Sequence, residues 1–99
     1  MLTIIIPVRN EANSIKDIFD HFSTNLKNIE YEVLLINDFS DDDTFQKTQD
    51  LIKSYKHFKI FNNTKKGLGG AIHIGIKKAV GENIAIMMAD QSDDINDLI

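Results

Sequence analysis

The sequence predicts an α/β domain built on an open, mainly parallel sheet. Four short runs along the 99 residues read as strands, the first apolar and rich in β-branched residues. The stretches between them carry apolar residues at helical spacing. The resulting order is β-α-β-α-β-α-β. Strands that alternate with helices of this length need right-handed crossovers, and such crossovers make a mainly parallel sheet.

Leu2 to Val8 is the first run, closed by Pro7, and its composition favours a buried strand. A polar turn, Arg9 to Ser14, precedes Ile15, Ile18, Phe19, Phe22 and Leu26, which fall on one face of a helix with Asn13 or Ser14 as its N-cap. Tyr31 to Asp38 reads as the second strand, centred on Val33-Leu34-Leu35-Ile36, and an acidic loop follows from Phe39 to Asp43. Phe45, Ile52 and Tyr55 can share the face of a second helix, with Thr48 between them. Phe58 to Asn62 alternates as a third strand. Gly70 to Val80 reads as a helix carrying Ala71, Ile72, Ile76, Ala79 and Val80 on one side, with Gly81 as a C-terminal stop. Asn83 to Ala89 is the fourth strand, Asp90 to Asp94 an acidic turn, and Ile95 to Ile99 could begin another helix.

Composition limits the function. The chain is 42% hydrophobic with mixed charge, which fits one small globular domain and excludes wholesale disorder. Eleven basic against fifteen acidic residues give a net charge of -4, which argues against nucleic-acid binding through clustered Lys and Arg. The lack of cysteine excludes disulfides, thiolate metal sites and a cysteine nucleophile. The longest nearly apolar run, Ile84 to Ala89, is too short to span a bilayer, and the N-terminus has no signal-peptide pattern, so the expected compartment is cytoplasmic. The chain stops soon after an acidic turn and reads as a single domain, residues 1–99, that is the leading part of something longer. A half-sheet of this kind should expose apolar surface and self-associate.

Ligands of open parallel sheets bind beyond the carboxyl ends of the strands, where the strand order reverses. The first strand ends in Pro7-Val8-Arg9-Asn10-Glu11, the second in Asn37-Asp38 and the fourth at Asp90, with Ser92, Asp93 and Asp94 behind it. Glu11, Asp38 and Asp90 could therefore share one cleft. Carboxylates gathered there suit a hard cation with a phosphorylated ligand, or the hydrogen-bond donors of a base and ribose. Taken singly, such a residue is more often a helix cap or a solvated turn residue; three strand ends out of four behaving alike weakens that reading.

Common nucleotide and metal motifs are absent. Gly67-Leu68-Gly69-Gly70 lacks the Gly-Lys-Ser/Thr of a P-loop, and Ile72 stands where a dinucleotide fingerprint needs glycine. The glycine cluster suits either an anion at a helix start or close helix-on-sheet packing. Asp38 to Gln49 lacks the central glycine and final glutamate of a calcium loop. Asn62-Asn63-Thr64 matches a glycosylation sequon without a secretory signal. His21, His57 and His73 lack ligand spacing and read as surface or packing residues, while Met87 and Met88 read as core filler.

Four blocks in order carry a family resemblance. They are Ile4-Ile5-Ile6-Pro7-Val8-Arg9-Asn10-Glu11; Ile36-Asn37-Asp38-Phe39-Ser40-Asp41-Asp42-Asp43-Thr44; Gly67-Leu68-Gly69-Gly70-Ala71 with Gly75, Ala79 and Gly81; and Met87-Met88-Ala89-Asp90-Gln91-Ser92-Asp93-Asp94. Together they resemble family 2 glycosyltransferases of the GT-A fold, most closely the dolichyl- or polyprenyl-phosphate mannose or glucose synthases. The resemblance covers almost the whole chain and implies the Rossmann-like nucleotide-binding half of that fold. It implies that Pro7, Arg9 and Glu11 line the base and ribose pocket, that Asp38 hydrogen-bonds the base, and that Asp90 helps hold Mg2+ or Mn2+ against the diphosphate of a UDP- or GDP-sugar. The implied acceptor is a polyprenyl phosphate at the cytoplasmic membrane face. The catalytic base is expected beyond Ile99, so these residues alone should be inactive.

The chain departs from the family pattern at four places. Asn37 replaces the first aspartate of the second block and Phe39 its glycine. Met88 replaces the first aspartate of Asp-x-Asp, and Ile95 a common proline. The substitutions at Asn37 and Met88 favour an alternative, a non-catalytic nucleotide-binding or interaction module. A receiver-like signalling domain is a further alternative, weakened because the first strand ends without a candidate phosphorylatable aspartate.

Overall fold

The structure is a computed structural model and describes residues 1–88. Its elements are β1 (Leu2–Val8), α1 (Ile15–Asn25), β2 (Tyr31–Asn37), α2 (Thr44–Leu51), β3 (Phe58–Asn62), α3 (Leu68–Lys78) and β4 (Asn83–Ile86). The four strands form one parallel sheet in the order β3-β2-β1-β4. The expected α/β architecture is therefore observed.

The path of the chain explains the layers. From β1 through β2 to β3 each step moves the same way across the sheet, so right-handed crossovers place α1 and α2 on one face. The next step returns past β1 to β4, and the same handedness places α3 on the other face. Strand alternation serves both layers. Ile4, Ile6, Val8, Val33, Leu35 and Phe58 point to the α1 side and meet Ile15, Ile18, Phe19, Phe22 and Leu26. Ile5, Leu34 and Ile36 point to the α3 side and meet Ala71. Phe19 joins the layers of the first core by stacking on Phe58, with ring centres 4.4 Å apart, and meeting Tyr55 edge-on.

β4 is shorter than the sequence suggests, and Pro7 explains why. In a parallel ladder, alternate residues of β1 turn their N–H and C=O groups toward the same neighbour. The Met87 N–H donates to the Ile5 carbonyl, 3.0 Å away, so Ile5 and Pro7 both face β4. The next rung would need an N–H from Pro7, which has none. Pairing of β1 with β4 stops there, while pairing with β2 continues to Val8↔Asn37.

The two later helices also differ from expectation. In α2 Thr44 and Thr48 are buried, and Leu51, Ile52 and, just past the helix, Tyr55 pack partly covered on the same core; Thr48, Ile52 and Tyr55 thus lie on the expected face, while Thr44 joins it in place of Phe45. Thr48 can be buried because its hydroxyl donates to the Thr44 carbonyl, 2.8 Å away. In α3 the buried positions are Ala71 and Gly75, whereas Ile76 and Val80 are exposed. Small residues let α3 lie close to the sheet, and a Cβ on Gly75 would come within 2.5 Å of Ile5. Gly81 is not a left-handed stop. The α3 C-cap is Ala79 in extended conformation, and Gly81 is required because a Cβ there would collide with Thr3 and the Met1 carbonyl. Ile84 and Ile86 lie beside Thr3 and Ile5 on the α3 face of β4 and are left exposed.

A buried carboxylate organises the opposite end of the sheet from the carboxyl termini of the strands. Glu32 is 5% exposed and accepts hydrogen bonds from the Thr3 hydroxyl and the Val80 N–H, each 2.7 Å long. Lys59 lies 3.5 Å from its other oxygen. The Gly81 N–H donates to Thr3, so β1, β2 and the α3–β4 turn share one network. Burial alone would raise the Glu32 pKa and is the largest single influence. The hydrogen bonds from Thr3 and Val80, together with Lys59 and the nearby Gly81 N–H, outweigh it and hold the carboxyl below its ordinary value of 4.5.

Two loop residues have left-handed backbone. Asn10 and Phe39 both have φ 54°. Asparagine tolerates this conformation, but a bulky aromatic side chain does so at a cost of about 1–2 kcal/mol. Phe39 is 44% exposed and gains little from packing in return.

Phe39→Gly is expected to raise stability by about 0.5–1 kcal/mol in urea unfolding, the relieved strain exceeding glycine's extra chain entropy. Glu32→Gln is expected to lower stability by about 1–2 kcal/mol at neutral pH. Because the folded pKa of Glu32 is depressed, its contribution is complete above the unfolded value and fades as pH falls through the folded one. Unfolding midpoints of the parent and the Gln variant should therefore converge on acidification below about pH 4.

Candidate functional site

The loops that leave the carboxyl ends of β1 and β2 are sewn together. The Asn10 N–H donates to the Ser40 hydroxyl at 3.0 Å, and the Asn10 side-chain oxygen accepts the Asp41 N–H at 2.7 Å. The Glu11 N–H donates to the Thr44 hydroxyl at 2.9 Å, and the Ala12 N–H to Asp42 at 3.4 Å. Asp42 also accepts from the Thr44 hydroxyl and N–H. These bonds to Thr44, the hydroxyl's foremost, hold the Asp42 pKa below the carboxylate norm against the opposing effect of burial. Asp42 is thus a structural stitch between two loops.

A third loop is tied to the same rim. The Gly67 N–H and the Asn63 amide both donate to Asp38 Oδ1, each at 3.0 Å. Gly67 has φ 114°, which only glycine adopts readily, and this conformation turns the chain into α3. A side chain on Gly70 would strike the Lys65 carbonyl. The glycine cluster is therefore explained by tight turning and close approach.

The three loops enclose a cleft of about 240 Å³ lined by Pro7, Val8, Arg9, Glu11, Asp38, Leu68 and Met88. It opens where β1 and β4 part after Ile5 and Met87, at the point where strand order reverses. The volume is below the usual range for a whole drug-sized ligand and suits one end of a larger molecule.

Pro7, Arg9, Glu11 and Asp38 all line this one cleft. Asp90 lies outside the described residues; of the three carboxylates expected on a common rim, Glu11 and Asp38 are seen there. Glu11 has a second task, since its Oε2 accepts from the Ser14 hydroxyl at 2.7 Å and its carbonyl accepts the Ser14 N–H. Ser14 is the α1 N-cap, but its side chain is turned to Glu11 and does not cap the helix. Asn37 does not line the cleft. Its amide donates to Asn62, and its own buried oxygen has no partner among the described residues.

Three residues escaped the sequence reading. Met88 is 42% exposed at the cleft, whereas Met87 is buried in the core as expected. Leu68, the first residue of α3, forms the facing apolar wall. Asn63 immediately follows β3, as Asp38 follows β2, and the polar residue at that strand end was a usable signal. The histidines fit their surface or packing roles, with His57 stacked on Tyr31 at 4.5 Å.

No group of three or more His, Cys, Asp or Glu side chains is placed to hold a metal ion among the described residues. Glu11 and Asp38 each spend one carboxylate oxygen on loop contacts. The described part of the cleft does not by itself make a divalent-cation site. It presents hydrogen-bond acceptors beside apolar walls, with the Arg9 guanidinium group at an exposed position. That chemistry suits a flat, polar-edged heterocycle.

Comparison with known proteins identifies the family and the fold. Dolichol-phosphate mannosyltransferase of Pyrococcus furiosus is 34% identical over 90 residues, which cover 90% of this chain and 25% of that protein. The putative glycosyltransferase CsbB of Bacillus subtilis is 36% identical over 93 residues, covering 91% and 28%. The chain thus spans about a quarter of the length of these relatives. Among solved structures, mannosyltransferase PcManGT from Pyrobaculum calidifontis, in complex with GDP-Man and Mn2+, superposes with a TM-score of 0.79 at 24% identity, covering 90% of this chain and 27% of that one. Residues 1–349 of S. aureus TarS in complex with UDP give 0.77 at 22% identity, covering 90% and 27%. These two likenesses establish the fold, a GT-A type domain. Residues 3–98 match the family model of glycosyl transferase family 2, and the chain belongs to that family.

Proposed function

We propose that this chain forms the donor-nucleotide half of a sugar-transfer site. The observation that carries the reading is the meeting of Pro7, Arg9, Glu11 and Asp38 in one cleft at the reversal of strand order. In this reading the base of a UDP- or GDP-sugar lies between Pro7, Leu68 and Met88. Asp38 accepts a hydrogen bond from a base N–H, and Glu11 faces the ribose hydroxyls. Hydrogen bonds to a charged acceptor are strong enough to orient the base. The Mn2+ and GDP-Man held by PcManGT and the UDP held by TarS support a nucleotide-sugar donor used with a divalent cation. Mg2+ or Mn2+ would be held with Asp90, and when bound it would neutralise charge on the departing nucleoside diphosphate.

In this reading transfer itself needs parts of the relatives' length that these residues do not span. Similarity to the Pyrococcus dolichol-phosphate mannosyltransferase supports a polyprenyl-phosphate acceptor, and in this reading so apolar an acceptor would bring the work to the cytoplasmic membrane face. No helix among the described residues is long and apolar enough to cross a membrane, so contact with the bilayer would be peripheral for this part. Met88, standing where an aspartate is expected, favours a second reading in which nucleotide is bound without transfer.

Calorimetry with UDP, GDP and their sugars, with and without Mn2+, tests the donor site. Binding of one nucleotide, tightened by Mn2+, is expected, and Asp38→Ala should weaken it by about tenfold or more. Failure of the folded chain to bind either nucleotide would remove this reading. The exposed Ile76, Val80, Ile84 and Ile86 lead us to expect concentration-dependent association in sedimentation, and a monomer at all concentrations would contradict it.

A further inference from the structure

Asp38 does not stand alone at the cleft. One of its oxygens, Oδ1, accepts from both the Asn63 amide and the Gly67 N–H. Its other oxygen accepts no hydrogen bond from the described residues. The carboxylate is therefore divided into a scaffold oxygen and a free one. What sets that division is Asn63, a side chain only 5% exposed.

The bonding of Asn63 leaves no ambiguity about its orientation. Its Nδ2 lies 3.0 Å from the Asp38 carboxylate and 3.1 Å from the Gly67 carbonyl, both pure acceptors. Its Oδ1 accepts the Lys65 N–H at 3.2 Å. Both amide hydrogens and the amide oxygen are used, and the Asn63 N–H extends the sheet by donating to the Asn37 carbonyl at 2.9 Å. A side chain with two donors and one acceptor at this length is asparagine. A carboxylate would repel Asp38, a serine would not reach, and a glutamine would displace the loop. Gly70 packs against the same amide, since a Cβ there would come 3.0 Å from Asn63 Oδ1.

We infer that Asn63 is a positioning residue for nucleotide recognition: it locks Asp38 Oδ1 to the Gly67 turn and so presents Asp38 Oδ2 to the base, while Leu68, one residue past Gly67, is set against the same cleft. This inference rests on the proposed donor site and deepens it. Asn63 touches no nucleotide and acts through Asp38.

The test is nucleotide affinity of the chain as a function of pH. In Asn63→Asp two carboxylates face each other at pH 8 and repel, and Asp38 turns away. On acidification the pair shares one proton, and a protonated Asp at 63 can again donate to Asp38. UDP or GDP, whichever the parent binds, should bind this variant about tenfold more weakly at pH 8 and recover to within about threefold at pH 5.5. Asn63→Ser has no such proton and should be about tenfold weaker at both pH values. It also decides the matter should the aspartate variant not fold. A folded variant that binds like the parent at pH 8, or an aspartate variant whose loss does not respond to pH, overturns this inference and leaves the donor site standing. A parent chain that binds no nucleotide overturns both.

Discussion

The site depends on a missing hydrogen-bond donor. β1 is paired on both sides, with β2 and with β4, and its residues alternate between the two partners. At Pro7 the strand needs an N–H to continue its bonding to β4, and proline cannot supply it. The two strands then separate while β1 remains tied to β2. The separation falls at the one place where strand order reverses, between the outward steps to β2 and β3 and the return step to β4. A sheet of continuous ladders would close there. This one opens, and the side chains that follow Pro7 are left facing a cleft.

Around that opening the loops act as one body. The turn after β1 is bonded to the turn after β2 through Asn10, Glu11 and Ala12 on one side and Ser40, Asp41, Asp42 and Thr44 on the other. The turn after β3 joins through Asp38, Asn63 and Gly67. Each hydrogen bond contributes modestly to stability, on the order of 1 kcal/mol. Their shared effect is geometric, since none of the three turns can shift without breaking bonds to another. The acidic stretch after β2 is divided accordingly. Asp42 is spent on the scaffold, and Asp38 is spent by half. The left-handed Phe39 between them places backbone strain beside the candidate site, where such strain is commonly stored.

The two faces of the sheet are unequal. The α1 and α2 face is sealed by large side chains around Phe19, and its core runs the length of β1 and β2. The α3 face is thinner, because α3 presents Ala71 and Gly75 to the sheet and covers β1 and β2 while leaving Ile84 and Ile86 of β4 bare. Among the described residues this leaves an apolar strip along β4.

Much of this was legible in the residues. Strand and helix periodicity identified all seven elements, because burying one face of each imposes a pattern that composition cannot hide. Parallel strands carry their carboxyl ends to a common edge, and from this the meeting of Glu11 and Asp38 followed; the lining by Pro7 and Arg9 was implied by the family resemblance, and Asp90 lies outside the described residues. The helix faces of α2 and α3 were misread only in part, at Phe45, Ile76 and Val80, because threonines can be buried once their hydroxyls bond within the helix, and small residues are buried where the sheet comes close. Neither condition appears in a hydropathy pattern. The partners of Glu32, the stitching role of Asp42 and the grip of Asn63 on Asp38 join residues 25 or more apart in the chain. Local sequence determined which segments form strands and helices and at which end of the sheet the candidate site lies. Only the packed structure decided which polar side chains became scaffold and which stayed free, because that choice is made by neighbours brought together in space.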